Sequence, residues 1–457
     1  MTYDEALVRL KEHGQEHLLH FFEDLDEAGQ ESLLKQIRDL DVSRINGLYQ
    51  DLVVNRETAI SDELSAIPAV TLAELPETER HRLWELGLKT IADGKVCAFL
   101  VAGGQGSRLG FDGPKGAFDI GLPSGKSLFQ LQAERLKHIG DLAGVSIPWY
   151  IMTSPQNHED SVTFFKNHEY FGLKADDICF FPQGTLPSVD EDGRILMAAR
   201  DEVSANPDGS GGCFRAFKEA GLLDDLSKRG IEHVFFYGVD NALVRVVDPY
   251  FIGFAVDRDK EISSKAVAKK VPEEKVGVFA YRNGNPAIIE YTELPEDLAR
   301  QRSEDGKLLY GSGNIVTHVI KTSFLERVLE KDPPYHIAHK KVDHVDGAGR
   351  LVKPKEPNAW KFEALYFDLF QFADDMSILN IRREEEFSPV KNFEGVDSKD
   401  TAREMFLELC TGWVKALGID APMPLEISPL LSIYGDGLDR ETLEPKVLAA
   451  TTGYIAP

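Results

Sequence analysis

The stretch Leu100-Val-Ala-Gly-Gly-Gln-Gly-Ser-Arg-Leu-Gly110 ends the apolar run that opens at Val96, and Pro114-Lys115 and Gly125-Lys126-Ser127 follow it. An apolar run that breaks straight into glycines reads as a buried strand delivering a tight loop. Glycines there let backbone N–H groups come close to an anion, and a helix beyond the loop is expected to add its positive end. Arg108 and Lys115 bring full charges to the same loop. Spacing rules on two common phosphate loops. The pattern G-x-G-x-x-G fails, because after Gly104 and Gly106 the third glycine position holds Leu109. The pattern G-x-x-x-x-G-K-[ST] fails as well, because counting back from Gly125-Lys126-Ser127 puts Ile120 at the first glycine. An anion loop of another kind, or a bare glycine turn, remains.

Outward from this loop, short apolar runs at 96–102, 149–154, 178–182 and 233–239 are separated by crossover lengths, which predicts a mostly parallel α/β sheet. A hairpin over 276–281 and 287–291, turning at Asn283-Gly284, makes the sheet mixed. Before it, apolar spacing at Leu18, Phe21, Phe22, Leu25, then Leu33, Leu34, Ile37 and Leu40 predicts helices that serve as a packing layer or a partner surface. Pro68 and Pro76 flank a connection into a helix over 77–92. After about residue 375, a strand over 376–382, an acidic loop, a helix over 401–417 and a proline-rich tail follow. The expected division is a helical region at 1–95, a central α/β domain at 96–375 and a small C-terminal domain at 376–457. No internal repeat suggests a solenoid.

A chain of 457 residues with 42% hydrophobic and 28% charged residues is an ordinary globular composition. The formal net charge of -25 speaks against DNA or RNA partners, which need a broad basic surface. Small anionic substrates need cations gathered locally against that field. The four cysteines lack metal or disulfide spacing. No apolar run approaches the roughly 20 residues that span a bilayer, and the polar start is unlike a secretory signal. A cytoplasmic protein without membrane contact, monomeric or weakly oligomeric, is the expectation.

Two further residues stand out. Asp240 follows the apolar run 234–239, which puts a carboxylate at the C-terminal edge of a buried strand, where it suits Mg²⁺, a helix N-cap or a turn. Lys391 follows the acidic run 383–386 and reads either as an ion pair on a solvated face or as a phosphate contact. His318, His336, His339 and His344 lack the spacing of a zinc helix and read as structural or surface residues.

These motifs resemble the eukaryotic-type UDP-sugar pyrophosphorylases, most of all those of N-acetylhexosamines. The likeness rests on Leu100 to Leu109, Pro114-Lys115-Gly116 and Leu122-Pro-Ser-Gly-Lys-Ser-Leu-Phe129. It continues in order through Phe181-Pro-Gln-Gly184, Pro207-Asp-Gly-Ser-Gly-Gly212, Gly238-Val-Asp-Asn241, Ile289-Glu-Tyr291, Gly313-Asn-Ile315, Pro334-Tyr-His336 and Phe387-Ser-Pro-Val-Lys-Asn392. The resemblance implies a Rossmann-like, GT-A-like α/β fold. It also implies in-line attack of a sugar 1-phosphate on the α-phosphorus of UTP, giving a UDP-sugar and pyrophosphate. Arg108, Lys115 and Lys391 would then serve catalysis and Asp240 would hold Mg²⁺. Ala102, Gly103, Gly104, Gln105, Gln183, Gly209 and Gly211 would bind UTP, the last three at the base. Ser210, Gly277, Glu290, Asn314, Leu365 and Phe367 would surround the sugar. Ser210 stands where the family usually has asparagine, and Leu365 where it has phenylalanine. N-acetylglucosamine 1-phosphate is the expected substrate, with glucose or galactose 1-phosphate as the alternative.

Overall fold

The run Val96–Val101 is buried along almost its whole length, as a parallel strand covered on both faces must be. The computed structural model describes residues 1–55, 62–331, 334–421 and 423–457. Its backbone falls into two units interleaved along the chain. Unit 1 holds Met1–Asp62, Gln183–Arg215 and Asp332–Leu369; unit 2 holds Glu63–Pro182, Ala216–Lys331 and Phe370–Pro457.

Unit 2 is built on an 11-stranded sheet. Its strands are β1 (Leu64–Ala66), β2 (Ala69–Thr71), β3 (Val96–Val101), β4 (Trp149–Thr153), β5 (Ile178–Pro182), β6 (His233–Gly238), β7 (Ile262–Ala268), β8 (Val278–Arg282), β9 (Asn285–Ile289), β10 (Ser312–Lys321) and β11 (Met376–Ile381). The main path runs β2-β11-β7-β10-β6-β3-β4-β5. Only β10 runs antiparallel to its neighbours on that path, β6 and β7. The sheet is therefore mixed and mostly parallel, as the spacing of apolar runs required. The expected hairpin is β8-β9; Asn283 (φ 53°) and Gly284 (φ 83°) take the two left-handed positions of a tight two-residue turn.

Three strands fall outside the sequence-based outline. β1 and β2 lie within the nominally helical first 95 residues, and β2 forms the sheet edge. β11, expected to open a C-terminal piece, instead runs between β2 and β7 in the main sheet. Its residues Met376 to Leu379 are buried.

In unit 1, helices Tyr3–Lys11, Glu27–Asp39 and Val42–Tyr49 each start at a side-chain cap: Thr2 with Glu5 in a capping box, then Asp26 and Asp41. They bury Leu10, Leu33, Ile37 and Ile45 in one core with Leu186, Val189, Ile195 and Phe362. The Leu18 to Leu25 group sits in two single 3-10 turns, Glu16–Leu19 and Phe22–Asp24, rather than in an α-helix. Among the described residues no helix is long and apolar enough to cross a membrane.

Candidate active site

β3 and β6 leave the sheet side by side. Gly238 pairs with Val101, and the Val239 N–H donates to the Val101 carbonyl at 3.1 Å. The glycine loop and Asp240 thus spring from one carboxyl edge, where ligands bind in open α/β sheets. The Gly106 N–H donates to Gly113 O at 2.9 Å and the Lys115 N–H to Gly104 O at 3.1 Å, which closes the loop on itself. Among the described residues the N–H groups of Gly103, Gly104 and Gln105 donate to no protein acceptor. Ala102 is buried beneath them.

The helix expected beyond the loop is set back from the glycines. The chain makes single 3-10 turns at Ser107–Leu109 and Lys115–Ala117, and an α-helix starts only at Leu128, capped by Ser127. Gly113 and Pro114 intervene, and neither propagates a helix. The positive potential of the loop therefore comes from its free N–H groups and its cations. Arg108 is exposed and Lys115 half-buried; a methyl group on Gly104 would stand 3.9 Å from Lys115 Cε. Among the described residues neither cation is ion-paired. Lys126, in the same stretch, has a different fate. It is buried, pairs with Glu134 at 2.7 Å and donates to the Tyr454 hydroxyl at 2.8 Å.

Asp240 is half-buried, and its carboxylate accepts no hydrogen bond from a described residue. Its backbone carbonyl accepts from Val390 N–H at 2.8 Å. Next to it, Asn241 Nδ2 donates to Glu386 O at 2.7 Å, and Asn241 Oδ1 accepts from Ser388 N–H at 2.9 Å. Val390 is fully buried in one core with Leu109 and Ala242. The 386–390 segment is thereby stitched to the strand end, and Lys391 emerges exposed beside Asp240 without an ion-pair partner among the described residues. Its position rests on these hydrogen bonds. Phe393 continues toward the glycine loop, 3.8 Å from where a methyl on Gly110 would lie.

A second group in unit 2 joins three of the expected sugar residues. The Asn314 N–H donates to Gly277 O at 2.8 Å. A Cβ on Gly277 would stand 3.1 Å from Glu290 Oε1. Asn314 Oδ1 accepts from Val316 N–H at 2.9 Å. Val316 has φ 56°, and the pairing of β7 with β10 shifts register here, between Ser264 and Ala266. A β-branched residue in the left-handed region costs about 1–3 kcal/mol, and such strain gathers at functional sites.

The remaining predicted residues meet in unit 1. Gln183 is buried, and its side-chain amide makes no hydrogen bond with a described residue. Gly209 (φ 89°) and Gly211 lie against the chain at Ala364 and Leu365. A Cβ on Gly209 would come within 2.3 Å of Ala364 O, and one on Gly211 within 2.8 Å of Leu365 O. These two positions need glycine for close backbone approach alone. The Ser210 hydroxyl accepts from Tyr366 N–H at 3.3 Å, so Ser210 bonds the residue directly after Leu365, and the two departures from the family pattern are neighbours. The Leu365 N–H donates to Asp368 Oδ2 at 3.0 Å, and Phe367 sits half-buried in the turn that follows.

The asparagines were missed. Asn157, fully buried, donates from Nδ2 to Ala102 O at 3.1 Å and to Gly104 O at 3.2 Å, and its Oδ1 accepts from Ser154 N–H at 2.8 Å. It pins the glycine loop from behind. Its only sequence signal is a Ser-Pro-x-Asn turn after β4, which any helix start could carry. Asn241 lies inside a family motif yet had no assigned role. Behind β6 lies a buried ion network: Lys265 pairs with Asp248 at 2.6 Å and with Glu386, and Arg245 pairs with Glu386 at 3.1 Å and Glu385 at 3.2 Å. His318 is a core residue. Burial lowers its pKa to about 3, and its Nδ1 lies 2.7 Å from Ser264 Oγ. His336 pairs with Asp368 and His339 stacks on Trp360. Among the described residues no three His, Cys, Asp or Glu side chains gather to hold a metal ion by themselves.

Known proteins resemble this chain in sequence and fold. Residues 48–399 match the family described as UTP–glucose-1-phosphate uridylyltransferase. The chain is 40% identical over 465 residues to UDP-N-acetylglucosamine diphosphorylase 2 of Arabidopsis thaliana, covering 95% of this chain and 91% of that one. It is 42% identical over 394 residues to the UDP-N-acetylglucosamine pyrophosphorylase of Saccharomyces cerevisiae, with 83% of each chain covered. A crystal structure of the uridine diphosphate N-acetylglucosamine pyrophosphorylase of Trypanosoma brucei superposes with a TM-score of 0.84 at 30% identity, covering 99% of this chain and 98% of that one.

Proposed function

We propose a function from the family to which this chain belongs, that of the UTP–glucose-1-phosphate uridylyltransferases: it is a nucleotidyltransferase that forms UDP-N-acetylglucosamine and pyrophosphate from UTP and N-acetylglucosamine 1-phosphate. One observation carries the site assignment. Among the described residues Arg108, Lys115 and Lys391 have no ion-pair partner and the N–H groups of Gly103, Gly104 and Gln105 no acceptor, in a chain that has 76 acidic residues available to neutralise 51 basic ones. Charges left unpaired in so acidic a protein are charges kept for a ligand.

The nucleophile, a sugar-phosphate oxygen, is already anionic at neutral pH, so no general base is required. The obstacles are repulsion between two polyanions and alignment of the reacting atoms, which preorganised positive groups overcome. Gly103, Gly104 and Gln105 N–H groups cradle the UTP phosphates. Arg108 and Lys115 neutralise them, and Lys391 screens the charge where the two substrates meet. Asp240, a single hard carboxylate with no protein donor competing for it, fits Mg²⁺, which takes few protein carboxylates and completes its shell with phosphate oxygens and water. When bound, the ion would neutralise charge developing on the α-phosphate. The unsatisfied Gln183 amide matches the donor and acceptors of a uracil edge. Glu290, and Asn314 held by the strained Val316 backbone, suit the hydroxyl and acetamido groups of the sugar. Four unpaired thiols, three of them buried, support residence in the reducing cytoplasm, and the acidic surface suits a monomer or weak oligomer that binds no nucleic acid.

The test is pyrophosphate release from UTP with N-acetylglucosamine, N-acetylgalactosamine, glucose and galactose 1-phosphates. The reading expects the largest kcat/KM with N-acetylglucosamine 1-phosphate. A larger value with glucose or galactose 1-phosphate would reassign the sugar, and release without any sugar phosphate would reject the transfer.

A further inference from the structure

Asn241 is 3% exposed, and its side-chain amide works in both directions. Its Nδ2 donates to Glu386 O at 2.7 Å, and its Oδ1 accepts from Ser388 N–H at 2.9 Å and from Leu243 N–H at 3.1 Å. The two backbones also meet directly: Ala242 N–H donates to Ser388 O at 3.0 Å, and Asn241 bridges Pro389 in antiparallel fashion. A proline has no N–H to give to such a contact. The Asn241 amide supplies the donor and the acceptor that a regular ladder would have provided. Asparagine carries both on one short side chain, whereas an ionised aspartate of the same shape only accepts.

The groups that this contact brings together lack side-chain anchors of their own. Among the described residues the Asp240 carboxylate accepts no hydrogen bond and the Lys391 ammonium has no ion-pair partner. Backbone alone therefore sets their separation. Asp240 is held from the sheet side, where Val239 N–H donates to Val101 O at 3.1 Å and Gln132 Nε2 donates to Val239 O at 3.1 Å. Lys391 N–H donates to Asp397 O at 2.7 Å, a bond within its own loop. Its register on the strand end is left to the Asn241 amide, the Ala242 bond to Ser388 and the Val390 bond to Asp240 O. We propose that Asn241 is a positioning residue, whose amide docks the 386–390 segment on the end of β6 and so holds the Lys391 ammonium beside Asp240. The inference rests on the transfer reading above. Preorganised charge acts at full strength only when held within about 0.5 Å of its productive place, and a shift of about 1 Å can cost roughly 100-fold.

The test is a double-mutant cycle on the full-length protein with UTP and N-acetylglucosamine 1-phosphate: wild type, Asn241→Ala, Lys391→Ala and both together, each with its urea midpoint. Asn241→Ala should lower kcat about 10- to 100-fold and leave KM for UTP within about threefold, because the N–H groups of Gly103 to Gln105 are untouched. In the Lys391→Ala background the same substitution should cost less than about threefold, because the charge it places is gone. Asn241→Asp keeps the shape and the acceptor but loses the donor to Glu386 O. It should lower kcat at least about tenfold, and it serves if Asn241→Ala does not fold. Independently of activity, amide hydrogen exchange across 386–391 should quicken in either variant. A residue that only stabilises the fold would lower the urea midpoint, leave kcat of the folded protein unchanged and cost the same in both backgrounds. Equal losses with and without Lys391, kcat within about twofold of wild type in both Asn241 variants, or unchanged exchange across 386–391 would overturn the proposal. Failure of the transfer reading looks different: wild type then releases no pyrophosphate with any sugar 1-phosphate, and this inference falls with it.

Discussion

Two sets of cations in unit 2 behave oppositely. Lys126, Arg245 and Lys265 are buried and ion-paired, each to a named carboxylate. Arg108, Lys115 and Lys391 stand at the sheet edge with none among the described residues. Burying a charge is tolerable only with a partner, so the first set is fixed by folding itself. The second set costs nothing to leave in water, and a protein with a net charge of -25 could easily have neutralised it. The contrast separates charges that hold the molecule together from charges to which the proposed function gives a substrate, and mutation should divide the two sets along the same line.

The largest effect is expected at Asp240, the proposed Mg²⁺ ligand. Asp240→Ala, or removal of divalent ions with a chelator, should lower kcat about 1,000-fold or more, the scale for losing a group that neutralises a transferring phosphoryl. Restored turnover on adding Mg²⁺ to the wild type, and not to the variant, would sharpen the assignment; full activity in chelator would break it. Next comes the interior. Glu386→Ala strands Lys265 and Arg245 without one of their carboxylates and should destabilise the protein by about 3–5 kcal/mol, read as a lowered urea midpoint. A midpoint equal to wild type would erase the distinction between the two sets. Asn157→Ala should have a smaller effect. Two loop carbonyls lose their donor at about 1–3 kcal/mol, and kcat/KM for UTP should fall roughly tenfold as the glycine loop loosens. An unchanged kcat/KM would make Asn157 a purely structural residue.

Much of this was legible from residues alone, for physical reasons. Strands β3, β4 and β6 are apolar runs because both faces are covered, and the glycine loop announces itself by breaking such a run. β1 and β2 were hidden because three residues flanking Pro68 hold too little pattern. β11 read correctly as a strand, but its place between β2 and β7 is set by non-local pairing that no local pattern records. Lys115 and Lys126 look alike in sequence; the Glu134 that neutralises only Lys126 is brought to it by the turn at Ser127 and the helix beyond. Gly209 and Gly211 read as ligand-facing, and close approach to Ala364 and Leu365 explains their glycine identity without any ligand. Asn157 was invisible because a lone asparagine near a helix start usually serves only its own turn.

The most direct test of the division between structural and substrate charges is the kcat of Lys115→Ala for pyrophosphate formation from UTP and N-acetylglucosamine 1-phosphate, on protein whose urea midpoint matches wild type. A fall of about 100- to 1,000-fold is predicted, as for loss of one preorganised electrostatic group. Turnover within about twofold of wild type, less than the loss of even a weak charged hydrogen bond, would contradict it.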